Sequence, residues 1–331
     1  MTGTIAVLGL GEAGGALARD LAAAGAVVRG YDPAISAAEA AGTGPAAHGT
    51  AGRRAEPADE PPAPPRSTTT SPTQPADKPP APPRSTAAGR TPPANRPPAP
   101  PQPATGADLG LAGVIITTSE AEAARGADLI LSVNSASAAL EALRAGLPTL
   151  HPGAVWADLN TASPGTKRQL ATLAAEHDVP FADVAIMAPV PGRGLQVPML
   201  ATGPAADTAA TVLNALGAAV ETMPGEAGLA AERKLLRSVF FKGMSAAVVE
   251  ALQAARAAGC EDWLRKIVVD ELTSAGAATV DRLVDGSYRH AVRRTAEMAA
   301  AAEMLGELGV RADVAAAARD QLARIADSQD C

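Results

Sequence analysis

The chain has 331 residues and a formal net charge of −7, which excludes binding to nucleic acid or anionic membranes through diffuse positive charge but leaves room for a local basic pocket. Hydrophobic residues make up 47% and aromatic residues 2%, which favours closely packed helices over an aromatic-rich β-sandwich. The two cysteines, the absence of a leader-like N-terminus and the absence of ~18 consecutive apolar residues predict a cytoplasmic protein without a membrane span.

The first elements predict a dinucleotide-binding turn. A buried strand at 4–10, a helix at 12–25 and a second strand at 26–32 enclose the sequence GLGEAG. Gly9, Gly11 and Gly14 have the G-x-G-x-x-G spacing, in which the glycines allow a tight turn, a close approach of pyrophosphate and helix–strand packing. The helix N-terminus then faces the phosphates.

Asp32 ends the second strand and is placed to accept hydrogen bonds from the adenosine ribose. A 2′-phosphate would meet this carboxylate, so NAD is favoured over NADP, and the expected cofactor is one of these two. The predicted cofactor-binding residues are Gly9, Leu10, Gly11, Glu12, Ala13, Gly14, Asp32, Val133 and Asn134.

A proline-rich segment interrupts this pattern. Residues 51–106 hold 18 of the 29 prolines, and PPAPP recurs at 61–65, 79–83 and 97–101. Proline has no backbone donor for helix or sheet, so polyproline II or disorder is expected. The favoured interpretation is a duplicated, tolerated loop remote from the chemistry, and the alternative is a ligand for a proline-binding module at 57–103.

Strands and helices alternate again after this segment, with strands predicted at 113–118, 127–133, 154–159, 180–186 and 198–202. This order is typical of a parallel, doubly wound α/β sheet. From residue 226 the sequence is helical throughout, with breaks near Gly259, Gly286 and Gly309. We therefore predict a Rossmann-type domain over 1–225, interrupted at 51–106, and an all-helical domain over 226–331.

Three motifs in order resemble those of the β-hydroxyacid dehydrogenase superfamily, which includes 3-hydroxyisobutyrate and 6-phosphogluconate dehydrogenases. They are GLGEAG, DLNTASP at 158–164 and GEAGLAAERK at 225–234. The pair Lys242–Gly243 resembles a less characterised subfamily with a KG pair after the catalytic lysine. The resemblance covers nearly everything outside the proline-rich segment, and it implies an all-α C-terminal domain like that of 6-phosphogluconate dehydrogenase.

The resemblance implies that Lys234 is the catalytic acid/base and that Asn160, Thr161 and Ala162 line the substrate pocket. From spacing alone, Lys234, Ser238 and Lys242 share one stripe of a helix, whose apolar face we expect to pack the helical domain. Ser238 is assigned to position the hydroxyl group or the lysine, and the turn at 160–162 to hold the substrate anion. Lys242 is assigned either to bind that anion or to lower the pKa of Lys234. The pKa of Lys234 must fall toward neutrality, which burial and a neighbouring cation can achieve.

Departures from the family pattern narrow the reaction. Phe241 stands where decarboxylating relatives have a glutamate, which argues against oxidative decarboxylation, and Lys234 argues against imine-reducing relatives, which generally replace it. The leading hypothesis is an NAD(P)-dependent oxidoreductase that interconverts a small anionic β-hydroxy acid, with a carboxylate or phospho group, and its carbonyl form. The alternatives are imine reduction on the same fold and a nucleotide-binding scaffold that uses the proline repeats. The resemblance also implies a homodimer; no metal site is expected.

Overall fold

The computed structural model describes residues 3–35 and 110–329. The strands in these ranges form one sheet, and they are β1 (Thr4–Leu8), β2 (Val27–Tyr31), β3 (Val114–Ile116), β4 (Leu129–Ser132), β5 (Val155–Asp158), β6 (Phe181–Ile186), β7 (Pro198–Thr202) and β8 (Ala219–Thr222). The helices that alternate with them are α1 (Glu12–Ala23), α2 (Glu120–Ala124), α3 (Ala139–Gly146), α4 (Pro164–Ala175) and α5 (Ala206–Ala215). The predicted proline-rich segment at 51–106 lies outside the described residues.

The strand order is β3-β2-β1-β4-β5-β6-β7-β8, and every neighbouring pair is parallel except β6 and β7. This confirms the predicted α/β class. The antiparallel step corrects the expectation of a wholly parallel sheet. Residues 187–197 connect β6 to β7 with only a 3-10 turn at Gly194–Gln196, and without a crossover helix the chain returns in the opposite direction.

The hydrophobic core covers both faces of the sheet. Along β1, Ile5 and Val7 pack on one face with Leu17 of α1, whereas Ala6 and Leu8 pack on the other. The same alternation occurs in β4 and β5, since successive strand residues point to opposite faces. Helices α1 and α5 cover the first face and α2, α3 and α4 cover the second, so the strands can be almost uniformly apolar.

Past β8 the described chain continues as α6 (Leu229–Ala257), α7 (Glu261–Ser274), α8 (Ala277–Arg289), α9 (Ala291–Glu307) and α10 (Asp313–Asp327). Left-handed backbone at Gly259 and Gly309, with φ of +73° and +70°, ends α6 and α9 as predicted.

The predicted break at Gly286 is wrong, because this residue lies inside α8 and the chain turns at His290 instead. A Cβ at Gly286 would lie 2.8 Å from Nη2 of Arg294, so the missing side chain makes room for that guanidinium group. A single glycine inside a helix costs only about 1 kcal/mol relative to alanine, which the helix tolerates.

Large apolar side chains are exposed along the helical segment. On α6, Val239 is 75% and Phe240 is 60% exposed, and Leu236 is also exposed. The expectation that this face of α6 packs within the helical domain of the same chain is therefore wrong. Helix α6 contacts β6, β7, α4, α7 and α10, yet these three side chains remain exposed, so they have little cover from the described residues of this chain.

In the ranges 3–35 and 110–329 no helix is both long and apolar enough to cross a membrane. The same ranges contain no group of three or more His, Cys, Asp or Glu side chains that could hold a metal ion.

Candidate active site

The glycine turn after β1 has the geometry that a dinucleotide requires. Gly9 adopts φ of +99°, and a Cβ there would lie 2.6 Å from the carbonyl oxygen of Val133. A Cβ on Gly14 would lie 1.8 Å from the carbonyl oxygen of Gly9, so this glycine lets α1 pack directly on the turn. Both positions therefore exclude any residue with a side chain.

Gly11 differs, because a Cβ there would have no atom within 4 Å. Gly11 is the N-cap of α1, and no side chain caps the helix start at this position. Open space in front of uncapped backbone amides is what a bound pyrophosphate needs, since the helix dipole and free N–H groups attract anions. The residues present thus fit an NAD(P) cofactor.

The side-chain carboxylate of Asp32, directly after β2, stabilises the glycine turn. Its Oδ2 accepts a hydrogen bond of 2.8 Å from the backbone N of Leu10, and its Oδ1 accepts one of 2.9 Å from Ala34. The carboxylate retains further acceptor capacity beyond these two bonds. Arg29, earlier in β2, is turned away, because its guanidinium donates to the carbonyl of Arg125.

Six of the nine predicted cofactor residues line two clefts, whereas Gly9, Gly14 and Asp32 line neither. The first has a volume of about 530 Å³, lies between the start of α1 and the loop at 190–194, and is lined by Leu10, Gly11 and Glu12. The second has a volume of about 410 Å³ and is lined by Ala13, Val133 and Asn134. Val190 lines both clefts, so they adjoin.

The second cleft holds the predicted catalytic stripe. Lys234, Ser238 and Lys242 of α6 all line it, opposite Asn160 and Thr161 from the turn between β5 and α4. Helix α4 begins as predicted, since Ser163 is its N-cap, with Oγ accepting from the backbone N of Thr166 at 3.1 Å. The glycine turn, the 160–161 turn and α6 thus converge on one volume at the carboxyl ends of the strands.

Two predicted substrate residues differ in detail from expectation. Asn160 is buried, and its Nδ2 donates to Ser132 Oγ at 3.0 Å and to Asp158 Oδ2 at 2.7 Å. Both amide hydrogens are therefore used internally, and only the acceptor Oδ1 is left for a ligand. Ala162 is buried and is absent from the described lining of the cleft, so it supports the turn from behind.

The surroundings of Lys234 suit proton exchange near neutral pH. Burial, which is the largest cause, and the positive charges of Lys167, Lys242 and Arg237 together lower the pKa of Lys234 from 10.5 to about 8. Asp183 acts in the opposite direction and raises this pKa. A lysine with a pKa near 8 can both take up and release a proton close to neutral pH, as an acid/base group needs.

Sequence reasoning missed two cations. Arg237 lines the cleft beside Lys234, and its Cζ lies 4.1 Å from the centroid of the Phe241 ring. Its position three residues after Lys234 on the helix was the available signal. Lys167 is fully buried beneath the cleft and pairs with Asp158 and Asp183. The distances in sequence between these three residues give no indication that they are in contact.

Two family profiles match the chain. The NAD binding domain of 6-phosphogluconate dehydrogenase matches residues 100–225, and a domain of unknown function, DUF1932, matches residues 255–325. The glycine turn precedes the first match, but β1 pairs with β4, so the turn and the matched residues share one sheet. A search of curated proteins found no match.

Solved structures share the fold. A conserved hypothetical protein from Sinorhizobium meliloti is 27% identical, with a TM-score of 0.51 over 98% of this chain and 88% of that one. A Streptomyces aurantiacus imine reductase is 16% identical, with a TM-score of 0.66 over 98% and 95% of the two chains. The Myxococcus stipitatus imine reductase in complex with NADP⁺ is 18% identical, with a TM-score of 0.64 over 98% and 94%.

The glycine turn, the matched NAD binding domain and the all-helical segment after β8 define an NAD(P)-binding fold related to dehydrogenases and reductases. Within that class, residues 100–225 resemble the NAD binding domain of 6-phosphogluconate dehydrogenase and residues 255–325 resemble DUF1932. The fold and the cofactor class inferred from the sequence are thereby confirmed, and the match to an NAD binding domain of 6-phosphogluconate dehydrogenase agrees with the family resemblance of the three motifs.

Proposed function

We propose that the protein interconverts a small anionic β-hydroxy acid and its carbonyl form, with Lys234 as the acid/base and NAD(P) as cofactor. The observation that carries this proposal is the charge of the second cleft. Lys234, Arg237 and Lys242 line it, and none of its described lining residues is a carboxylate. Three cations without a counter-charge favour an anionic ligand.

Bound NAD(P) supplies the hydride acceptor or donor. In the oxidative direction, neutral Lys234 accepts the proton of the substrate hydroxyl while the carbon loses hydride; in the reductive direction, protonated Lys234 returns the proton to the carbonyl oxygen. Ser238, one helical turn further along α6, positions the hydroxyl group or the lysine. Phe241 provides no acid for a decarboxylating step.

The anion and the reacting hydroxyl are recognised by different groups. Arg237 and Lys242 provide positive charge for a carboxylate or a phospho group, and Thr161 provides a hydroxyl. Asn160 offers only its Oδ1, which accepts a hydrogen bond, so it suits the substrate hydroxyl better than the anion. This division reassigns Asn160 from anion binding to orientation of the alcohol.

Replacement of Lys234 tests the proposal directly. Lys234→Ala is expected to lower kcat by about 10²–10⁴-fold and to leave the Kd of NAD(P) nearly unchanged. Arg233→Ala is the matched control, because Arg233 lies in the same turn, is exposed and pairs with Glu232 outside the cleft. Hydroxy acids and phosphonates are screened with NAD and NADP by absorbance of the reduced cofactor. Full turnover in Lys234→Ala would end the hypothesis.

Imine reduction is the second candidate, because imine reductases from several organisms share this fold. The positive charge of the second cleft disfavours imine reduction, because a reactive iminium is itself a cation and would be repelled by Lys234, Arg237 and Lys242. A comparison of turnover with cyclic imines and with hydroxy acids separates the two reactions. Imine turnover that survives Lys234→Ala would favour this second function.

We also propose that the active form is a homodimer built on the helical segment over 226–331. Val239, Phe240, Val280 and Val292 are each at least 60% exposed on this segment, and a second copy of the chain would bury such side chains. Light scattering coupled to size exclusion measures the mass. Val239→Glu is expected to give monomers and Arg233→Ala to remain dimeric; a monomeric wild-type protein at micromolar concentration would contradict the proposal.

A further inference from the structure

A row of buried polar side chains crosses the sheet beneath the second cleft. Ser132, Asp158 and Asp183 are partners in register on β4, β5 and β6, and each is fully buried. They follow Ile130, Trp156 and Phe181 on the face that α4 covers. Two carboxylates side by side in an apolar core are costly unless a cation pairs with them.

Lys167 of α4 provides that cation. Its Nζ lies 2.6 Å from Asp158 Oδ1, 2.7 Å from the Asp158 carbonyl oxygen and 3.1 Å from Asp183 Oδ1. The first two contacts are hydrogen bonds, whereas the contact with Asp183 Oδ1 lacks hydrogen-bond geometry and is ionic. Lys167 has no exposure to solvent, so these charges interact with little screening.

Each carboxylate also reaches an element that forms the cleft. Asp158 Oδ2 accepts from Asn160 Nδ2 in the substrate turn at 2.7 Å. Asp183 Oδ2 accepts from the backbone N of Gly228 at 2.9 Å and of Ala231 at 3.0 Å, at the start of α6. A continuous path of polar contacts therefore runs from Asn160 through Lys167 to the helix that carries Lys234.

We propose that Lys167 is a positioning residue of the active site, which holds the substrate turn at Asn160 and the start of α6 at a fixed separation through its ion pairs with Asp158 and Asp183. This inference rests on the proposed function, in which Asn160 and Lys234 act on the same hydroxyl group. Lys167 itself touches neither cleft, because it is absent from the described lining of both.

The same network acts on the charge of Lys234. The groups that face this amine are Lys167, Lys242, Arg237 and Asp183, and the positive charge of Lys167 helps to lower its pKa whereas Asp183 raises it. Removal of Lys167 therefore raises the pKa of Lys234, and neutralisation of Asp183 lowers it. A lysine with a purely structural role would change stability without these opposite shifts.

The experiment uses the full-length protein with Lys167→Met, Asp183→Asn and the control Gln169→Met, an exposed site on the same helix. Limiting acetylation of Lys234 is followed against pH by mass spectrometry, which reports the protonation of the amine without turnover. We expect the labelling midpoint to rise by about half a pH unit or more in Lys167→Met and to fall in Asp183→Asn. We expect kcat to fall about tenfold or more in both variants, with the Kd of NAD(P) unchanged.

Asp183→Asn keeps the shape of the side chain, so it carries the test if Lys167→Met does not fold. Unchanged midpoints and unchanged kcat in either folded variant would overturn the inference. Shifted midpoints together with full activity of Lys234→Ala would instead refute the proposed function and leave the electrostatic network standing. Lys167→Arg, which retains the charge, should restore part of kcat relative to Lys167→Met.

Discussion

The lowered pKa of Lys234 predicts that this lysine destabilises the folded protein. Its pKa falls from 10.5 in the unfolded chain to about 8 in the native state. At about 1.36 kcal/mol per pKa unit, a full shift would cost the native state about 3 kcal/mol. The side chain is partly exposed, so solvent screening reduces the expected cost to about 1–2 kcal/mol.

The sign follows from proton binding. Between pH 8 and pH 10.5 the unfolded chain binds more protons at this site than the native state, so the free energy of unfolding rises with pH in this window. Below pH 8 both states bind the proton and the penalty is complete. Above pH 10.5 neither state binds it and the penalty is absent.

Lys234→Met is therefore expected to be about 1–2 kcal/mol more stable than the wild type at pH 7, with the difference shrinking toward pH 10. Urea unfolding at one fixed protein concentration, at pH 6.5, 7.5, 9 and 10, measures this difference. Lys266→Met is the control, because Lys266 is exposed and pairs with Asp270 on α7. A variant that is less stable at pH 7, or a difference that does not change with pH, would refute the reasoning.

Three other perturbations test separate parts of the site. Gly14→Ala should destabilise the protein and abolish NAD(P) binding, because its Cβ would collide with the carbonyl oxygen of Gly9. Gly11→Ala should fold normally and only weaken NAD(P) binding, because its Cβ would meet no protein atom within 4 Å. Calorimetry measures both affinities. Arg237→Met should raise the KM for the anionic substrate about tenfold with a smaller change in kcat; an unchanged KM would remove Arg237 from anion recognition. Deletion of residues 55–105 should leave turnover intact, because this segment is expected to lie away from the chemistry. If the shortened protein loses a binding partner in a pull-down but keeps its turnover, the proline repeats have a role separate from catalysis.

Much of the fold could be predicted because its signals are local. The glycine spacing at 9–14, the short apolar strands and the Ser163–Pro164 helix start are each encoded within a few residues. The antiparallel β7 was missed because the strand pattern of 198–202 is the same in either direction. Only the lack of a helix in 187–197 distinguishes the two, and that is a property of the connection rather than the strand.

The candidate site likewise has some features that local sequence predicts and others that it does not. Lys234, Ser238 and Lys242 could be placed together from spacing on one helix, and all three line the cleft. The orientation of Asn160 could not, because it depends on Ser132, which lies 28 residues earlier in the chain on a neighbouring strand. The register of the sheet brings these residues together, and no local pattern reports that register.

Lys167 shows why a buried ion network escapes sequence reasoning although it shapes the chemistry above it. In sequence it resembles any lysine on a helix with polar neighbours, such as Arg168 and Gln169, and the ordinary expectation is a solvated side chain. Its burial follows only once Asp158 and Asp183 stand side by side, because two adjacent carboxylates require a cation that the apolar face of α4 must provide. The two carboxylates on β5 and β6 thus require a cation at this position of α4, and Lys167 then links the substrate turn to the start of α6.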